Sequence, residues 1–158
     1  MYTLVYILLI IFLIFIIIVK LNRSKIKGRI GESFCSSILS FLPKDKYIVV
    51  DDVLLKTSNG TSQIDHVVLS IYGIFVIETK NYSGWIYGGE YSDNWTKNVY
   101  GNKYSFYNPL KQNDGHIKAI KRYLKITNDN SVIGIVAFSN KASLKLLQEK
   151  MLLILGGL

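Results

Sequence analysis

The stretch Gln63-Ile64-Asp65-His66-Val67-Val68-Leu69-Ser70-Ile71-Tyr72-Gly73-Ile74-Phe75-Val76-Ile77-Glu78-Thr79-Lys80 decides how the rest of the chain folds. Two apolar runs, Ile64–Ile71 and Ile74–Thr79, flank Tyr72-Gly73. Runs of this length around a two-residue turn read as a β-hairpin. Their Val, Ile, Leu and Phe content shows little polar alternation, so both strands are expected to be largely buried. Three charged residues break the pattern: Asp65, Glu78 and Lys80. Burying such groups costs several kcal/mol per ion unless partners offset it. Glu78 and Lys80 are two residues apart and so project from one face of the sheet, about 7 Å apart along the backbone. The turn brings Asp65 back beside Glu78. Two carboxylates that close repel each other, and a divalent cation relieves the repulsion. His66 alternates with Asp65, points to the other face, and reads as a hydrogen-bonded core histidine.

This arrangement suits metal-assisted phosphodiester cleavage. Hard oxygen donors fit Mg²⁺ or Mn²⁺, which bind carboxylates, water and phosphate oxygens together. Such an ion polarises a phosphate and acidifies water. A lysine one strand step beyond Glu78 is placed to orient the attacking water or to stabilise charge in the transition state. The same three residues also suit a buried Asp/Glu–Lys ion pair that merely fixes the sheet, and the spacing leaves that alternative open.

Outward from the hairpin, Ile30 to about Leu42 has Phe34, Ile38 and Leu39 at helical spacing and stops before Pro43, which a helix interior does not tolerate. Tyr47–Leu55 is a strand, and 57–60 is a turn by composition. Residues 81–107 hold both tryptophans among Gly, Asn and Ser, and a second hairpin is expected between Trp85 and Trp95. There the aromatics are expected mainly to pack on sheet faces, with stacking on unpaired bases as the functional alternative. After Asn108-Pro109 a helix runs to about Lys125. Ile117, Ile120 and Leu124 form one stripe of it, and Lys118, Lys121, Arg122 and Lys125 another, read as a solvated face with a phosphate-backbone contact as the functional alternative. Ser131–Phe138 is a further buried strand, and 142–150 a short helix. The order of elements gives an α/β fold, a mixed sheet flanked by helices.

The front of the chain is different in kind. Residues 2–19 form an 18-residue stretch without a charge. As a helix it is about 27 Å long, close to the hydrocarbon thickness of a bilayer, and is expected to be a transmembrane anchor. Lys20, Arg23, Lys25, Lys27 and Arg29 follow it, so 20–29 reads as a basic juxtamembrane linker able to touch anionic lipid. A cleavable signal would carry its charge before the apolar run. The positive-inside tendency puts the C-terminal bulk in the cytoplasm. The chain's net charge of +8 then divides unevenly, leaving only +3 for residues 30–158. Charge alone therefore argues little for a polyanion partner. A composition 49% hydrophobic and 19% charged excludes a disordered chain, and one cysteine, Cys35, excludes a disulfide framework.

Asp65, twelve intervening residues and Glu78-Thr79-Lys80 resemble the D…(D/E)-x-K signature of the restriction-endonuclease-like superfamily. The surroundings narrow the resemblance. Gly28-Arg29-Ile30-Gly31-Glu32, Gln63-Ile64-Asp65-His66-Val67-Val68, Gly73 to Asn81, Gly84, Trp95 and Asn108-Pro109-Leu110-Lys111-Gln112-Asn113 together resemble the NERD, or nuclease-related domain, family.

The resemblance implies a restriction-endonuclease-like core over residues 30–140: a four-stranded mixed sheet with flanking helices. It implies Asp65 and Glu78 as metal ligands and Lys80 as the catalytic lysine. Glu32 matches an additional acidic position, shared between metal binding and catalysis, and Gln112 a glutamine after the core hairpin. Without the resemblance, Glu32 reads as an acid favouring a helix dipole. His116, four residues beyond Gln112, lies on the same helix face. The function so implied is a membrane-anchored, Mg²⁺- or Mn²⁺-dependent nuclease acting on DNA. The alternatives are a non-catalytic module binding nucleic acid or protein at the membrane, and a structural protein whose ion pairs hold a sheet. Residues 141–158 are a C-terminal extension whose apolar ending, 151–158, reads as a last buried strand or a truncation.

Overall fold

The computed structural model describes residues 2–58, 60–127, 131–146 and 152–155. Helix α1 spans Tyr2–Leu39. Strands β1 (Tyr47–Thr57), β2 (Gly60–Ser70) and β3 (Gly73–Lys80) follow, then β4 (Gly84–Gly88), β5 (Asn94–Val99) and β6 (Asn102–Tyr107). Helix α2 (Pro109–Tyr123) precedes β7 (Val132–Ser139), β8 (Ala142–Leu146) and β9 (Leu152–Leu155).

Two sheets result, in the orders β1-β2-β3-β7-β9 and β6-β5-β4-β8. The first is mixed. Its three leading strands form antiparallel pairs, while β7 lies parallel to β3 and β9 parallel to β7. The central hairpin turns with Ser70 opposite Gly73, as the two-residue spacing requires. Gly73 has φ +139, and a Cβ there would meet the Ser131 carbonyl oxygen at 2.7 Å. No other residue fits that turn without strain.

The sheet is covered on both faces, which explains its apolar runs. One face carries Leu55, Ile64, Val67 and Val76 against Ala119 and Ile120 of α2. Another cluster gathers Cys35 of α1 with Val68, Ile77 and Ala137. The second sheet packs Ile86 and Trp95 onto Val136 and Phe138 of β7. Trp95 stacks on Phe138 with ring centroids 6.3 Å apart.

Three expectations change. The basic stretch 20–29 is helical, so one uninterrupted α1 joins the apolar span to the domain. No proline interrupts it, and its two glycines are tolerated. Ala142–Leu146 is a strand, because it pairs in parallel with β4; residues 147–150 of the expected helix lie outside the described residues. On α2 the buried side chains are Pro109, Asn113, His116, Ala119 and Ile120, while Leu124 is exposed. Of the apolar ending, Leu152–Leu155 forms β9 beside β7.

Candidate active site

The β2–β3 ladder runs from Ser70↔Gly73 to His66↔Ile77 and ends there. At the next position the Asp65 side chain takes over, its Oδ2 accepting the Thr79 backbone N–H at 2.7 Å. Strand β3 nevertheless stays paired with β7 as far as Lys80↔Phe138, and β2 stays paired with β1. The sheet therefore forks at Asp65, and the fork opens the site.

Two helices bring further groups to it. Gly31 on α1 lies so close to β3's end that a Cβ there would sit 2.5 Å from Asn81 Cβ. Asn81 Nδ2 donates to the Lys27 carbonyl at 2.8 Å, pinning the crossing. Glu32 thereby lines the same cleft as Asp65, Glu78 and Lys80. On the other side, Asn108 caps α2. Its side-chain oxygen accepts the Leu110 N–H at 2.9 Å, and Pro109 occupies the first turn where no N–H is needed. Asn108 Nδ2 also donates to the Ser92 carbonyl at 2.7 Å, locking the helix start onto the β4–β5 loop. One turn later Gln112 reaches the site.

Lys80 Nζ donates to Glu78 Oε1 at 2.5 Å and to Gln112 Oε1 at 3.0 Å. The second Glu78 oxygen lies 3.1 Å from His116 Nε2, and His116 Nδ1 lies 2.8 Å from Ser62 Oγ. A carboxylate cannot donate, so Nε2 carries the proton toward Glu78. Burial alone would raise the Glu78 carboxyl, but the hydrogen bonds and charges of His116 and Lys80 outweigh it and hold it low. Asp65 goes the other way. Burial, then the nearby charges of Glu78 and Glu32, push it up to about 6 despite the Thr79 N–H and Lys80.

The cleft has a volume of about 770 Å³. Its base is Asp65, Glu78 and Lys80; α1 contributes Lys20, Arg23 and Lys27, and the β5–β6 hairpin contributes Lys97, Tyr100 and Tyr104. Asp65, Glu78 and Glu32 supply hard oxygen donors of the type a divalent cation takes. Both Glu78 oxygens are meanwhile engaged by Lys80 and His116. Among the described residues no three His, Cys, Asp or Glu side chains converge closely enough to grip an ion without rearrangement.

All five residues singled out in the sequence, Glu32, Asp65, Glu78, Lys80 and Gln112, thus meet in one region. His66 is buried beside this region, lining a smaller pocket with Glu32 and Asp65, its Nδ1 2.8 Å from Asp51 Oδ1. Burial works against its charge, but Cys35 and Asp51 raise it to about 9. The basic stripe of α2 does not line the cleft. His116 was marked by its place four residues beyond Gln112 on one helix face, whereas Ser62 had no signal, being 54 residues from its partner. The contribution of α1 was hidden because the cations after an apolar span read first as membrane neighbours.

The result is a forked mixed sheet with two carboxylates and a lysine at the fork. The chain belongs to the NERD family, the nuclease-related domain, whose family model matches residues 27–139. An uncharacterized protein of Bacillus anthracis is 43% identical over 129 residues, covering 81% of this chain. The match takes in 60% of that relative's length. No solved structure matches the chain.

Proposed function

We propose that this protein is a membrane-anchored, divalent-metal-dependent nuclease that hydrolyses phosphodiester bonds in DNA. The observation that carries the reading is the meeting of Asp65, Glu78, Lys80 and Gln112 at the fork. Asp65 and Glu78, with Glu32 beside them, would hold Mg²⁺ or Mn²⁺. When bound, such an ion supplies Lewis acidity to the phosphate and to water. Lys80 Nζ, held by a carboxylate and an amide oxygen, would donate to the phosphate or to the attacking water. Gln112 fixes its direction, and His116 keeps Glu78 ionised.

The anchor is residues 2–19 of α1, and the span Thr3–Leu39 holds an 18-residue window of mean hydropathy 3.3, none of it buried. The cations that follow support a cytoplasmic domain; a fusion at the C-terminus to a periplasm-dependent phosphatase, inactive if so, checks the orientation.

A non-catalytic binding module is the second reading, favoured by the engagement of both Glu78 oxygens. Incubating the full-length chain in detergent with supercoiled, linear and single-stranded DNA separates the two. Cleavage in Mg²⁺ or Mn²⁺, abolished by chelator and by Asp65→Ala, supports the nuclease. DNA binding without turnover, and without Mn²⁺ uptake by calorimetry, supports the module.

A further inference from the structure

The cleft at the sheet fork is lined by two kinds of side chain beyond the catalytic set. Lys20, Arg23 and Lys27 come from α1, and Lys97, Tyr100 and Tyr104 from the β5–β6 hairpin. Tyr100 sits at the hairpin tip with φ 51, a left-handed conformation, and its side chain is 100% exposed. Tyr104 is 50% exposed. Exposed aromatic rings beside cations form a surface on which unpaired bases stack while phosphates pair with the charges.

Lys97 connects the two groups. Its Nζ lies 5.5 Å from the Tyr104 ring centroid. Burial and the neighbouring charge of Lys27 both lower it, so α1 and β5 press like charges together across the cleft. A polyanion threaded between them relieves that repulsion.

From this juxtaposition we propose that the cleft takes a single strand with unpaired bases, its phosphates along Lys20, Arg23, Lys27 and Lys97 and its bases stacked on Tyr100 and Tyr104. The reading rests on the nuclease-like function above and names its substrate class. A duplex presents phosphates outward and hides base faces, so it satisfies the cations and leaves the tyrosines without a partner. An unpaired strand satisfies both. The volume, about 770 Å³, is that of a pocket for a few nucleotides at most. The α1 cations also lie next to the apolar span, and lipid phosphate is the competing occupant for them; tyrosines suit a headgroup region too, so the base-dependent arm of the test separates the two.

The test uses the full-length chain in nanodiscs of phosphatidylcholine, which carries no net charge, with binding read by fluorescence anisotropy in chelator. The probes are a labelled single-stranded oligonucleotide, its duplex, and an abasic strand of equal length. The single strand is expected to bind at least tenfold tighter than either. Tyr100→Ala/Tyr104→Ala weakens it by about ten- to a hundredfold while leaving the abasic strand unchanged. Arg23→Gln/Lys27→Gln lowers the slope of log affinity against log salt by about 1.4, with Lys20, Lys25 and Arg29 kept to preserve the charge beside the span. Equal affinity for strand and duplex, or indifference to the tyrosine substitutions, overturns the proposal. An unchanged salt slope in the charge variant assigns those cations to lipid and overturns the phosphate contact. Failure of the nuclease reading is separate: the strand preference then persists, but no DNA is cut in Mn²⁺.

Discussion

Asp65 Oδ2 accepts the backbone N–H of Thr79 at 2.7 Å, at the point where the ladder between β2 and β3 stops. A side chain thus replaces a main-chain partner, and the strands can part without stranding a buried amide. The same contact holds a carboxylate next to Glu78, a position the sheet would not choose for stability alone.

That cost is measurable. Asp65 titrates near pH 6 in the fold against about 3.8 in the unfolded chain. Between those values the folded protein holds the extra proton, so stability falls as pH rises from about 4 to 6 and stays lower above. The difference is on the order of 3 kcal/mol. Asp65→Asn keeps an acceptor for Thr79 and carries no charge. It is expected to melt higher than wild type at pH 7, to lose the fall between pH 4 and 6, and to gain nothing from added Mn²⁺. Thermal unfolding followed at both pH values, with and without the metal, checks this.

His116 is predicted to act through Glu78. Its Nε2 lies 3.1 Å from Glu78 Oε2 and helps hold that carboxyl low. His116→Ala should therefore move the acid limb of the cleavage profile to higher pH, while the rate on the plateau changes less. A variant that loses activity equally at every pH would give His116 a purely structural role.

The approach of α1 to β3 depends on Gly31. Gly31→Ala places a Cβ at 2.5 Å from Asn81 Cβ, which is part of a pinned side chain and cannot simply swing away. Overpacking of this kind costs about 1–3 kcal/mol. The expected result is a lower melting temperature together with lost cleavage, since Glu32 moves away from the cleft. Gly89→Ala, where nothing lies within 4 Å, serves as the control.

A second titration runs the opposite way to Asp65. His66, raised to about 9 by Cys35 and Asp51 against the effect of burial, is charged and paired in the fold. The stability it contributes is complete below about pH 6.5 and is lost as pH rises through 9. Wild type should therefore lose several degrees of melting temperature between pH 7 and 9.5. Asp51→Asn should flatten that fall, as unfolding curves across the range will show.

The hairpin, its register and Asp65, Glu78 and Lys80 were legible because each has a local signature, whereas Glu32 and Gln112 stood out only through the family resemblance. A two-residue turn sets the register, and a charge in an apolar run marks itself. Alternation of side chains set His66 on the face away from Asp65, yet both line one smaller pocket with Glu32. The 142–146 segment was not legible: its strand exists only because β4 offers an edge, which no short window of sequence records. Ser62 and His116 meet only in three dimensions, and Leu124 belongs by period to a stripe that the helix end carries past the sheet. The cations of α1 were visible, but their second use depends on Gly31 turning the helix across the strand end.

The most direct test of the account is the single-turnover cleavage rate of full-length Lys80→Ala at saturating Mg²⁺. Lys80 is held at 2.5 Å from Glu78 and 3.0 Å from Gln112, and the assigned chemistry runs through its ammonium group. The account predicts a loss of at least a hundredfold, with DNA binding retained. A Lys80→Ala protein that cuts DNA as fast as wild type would contradict it.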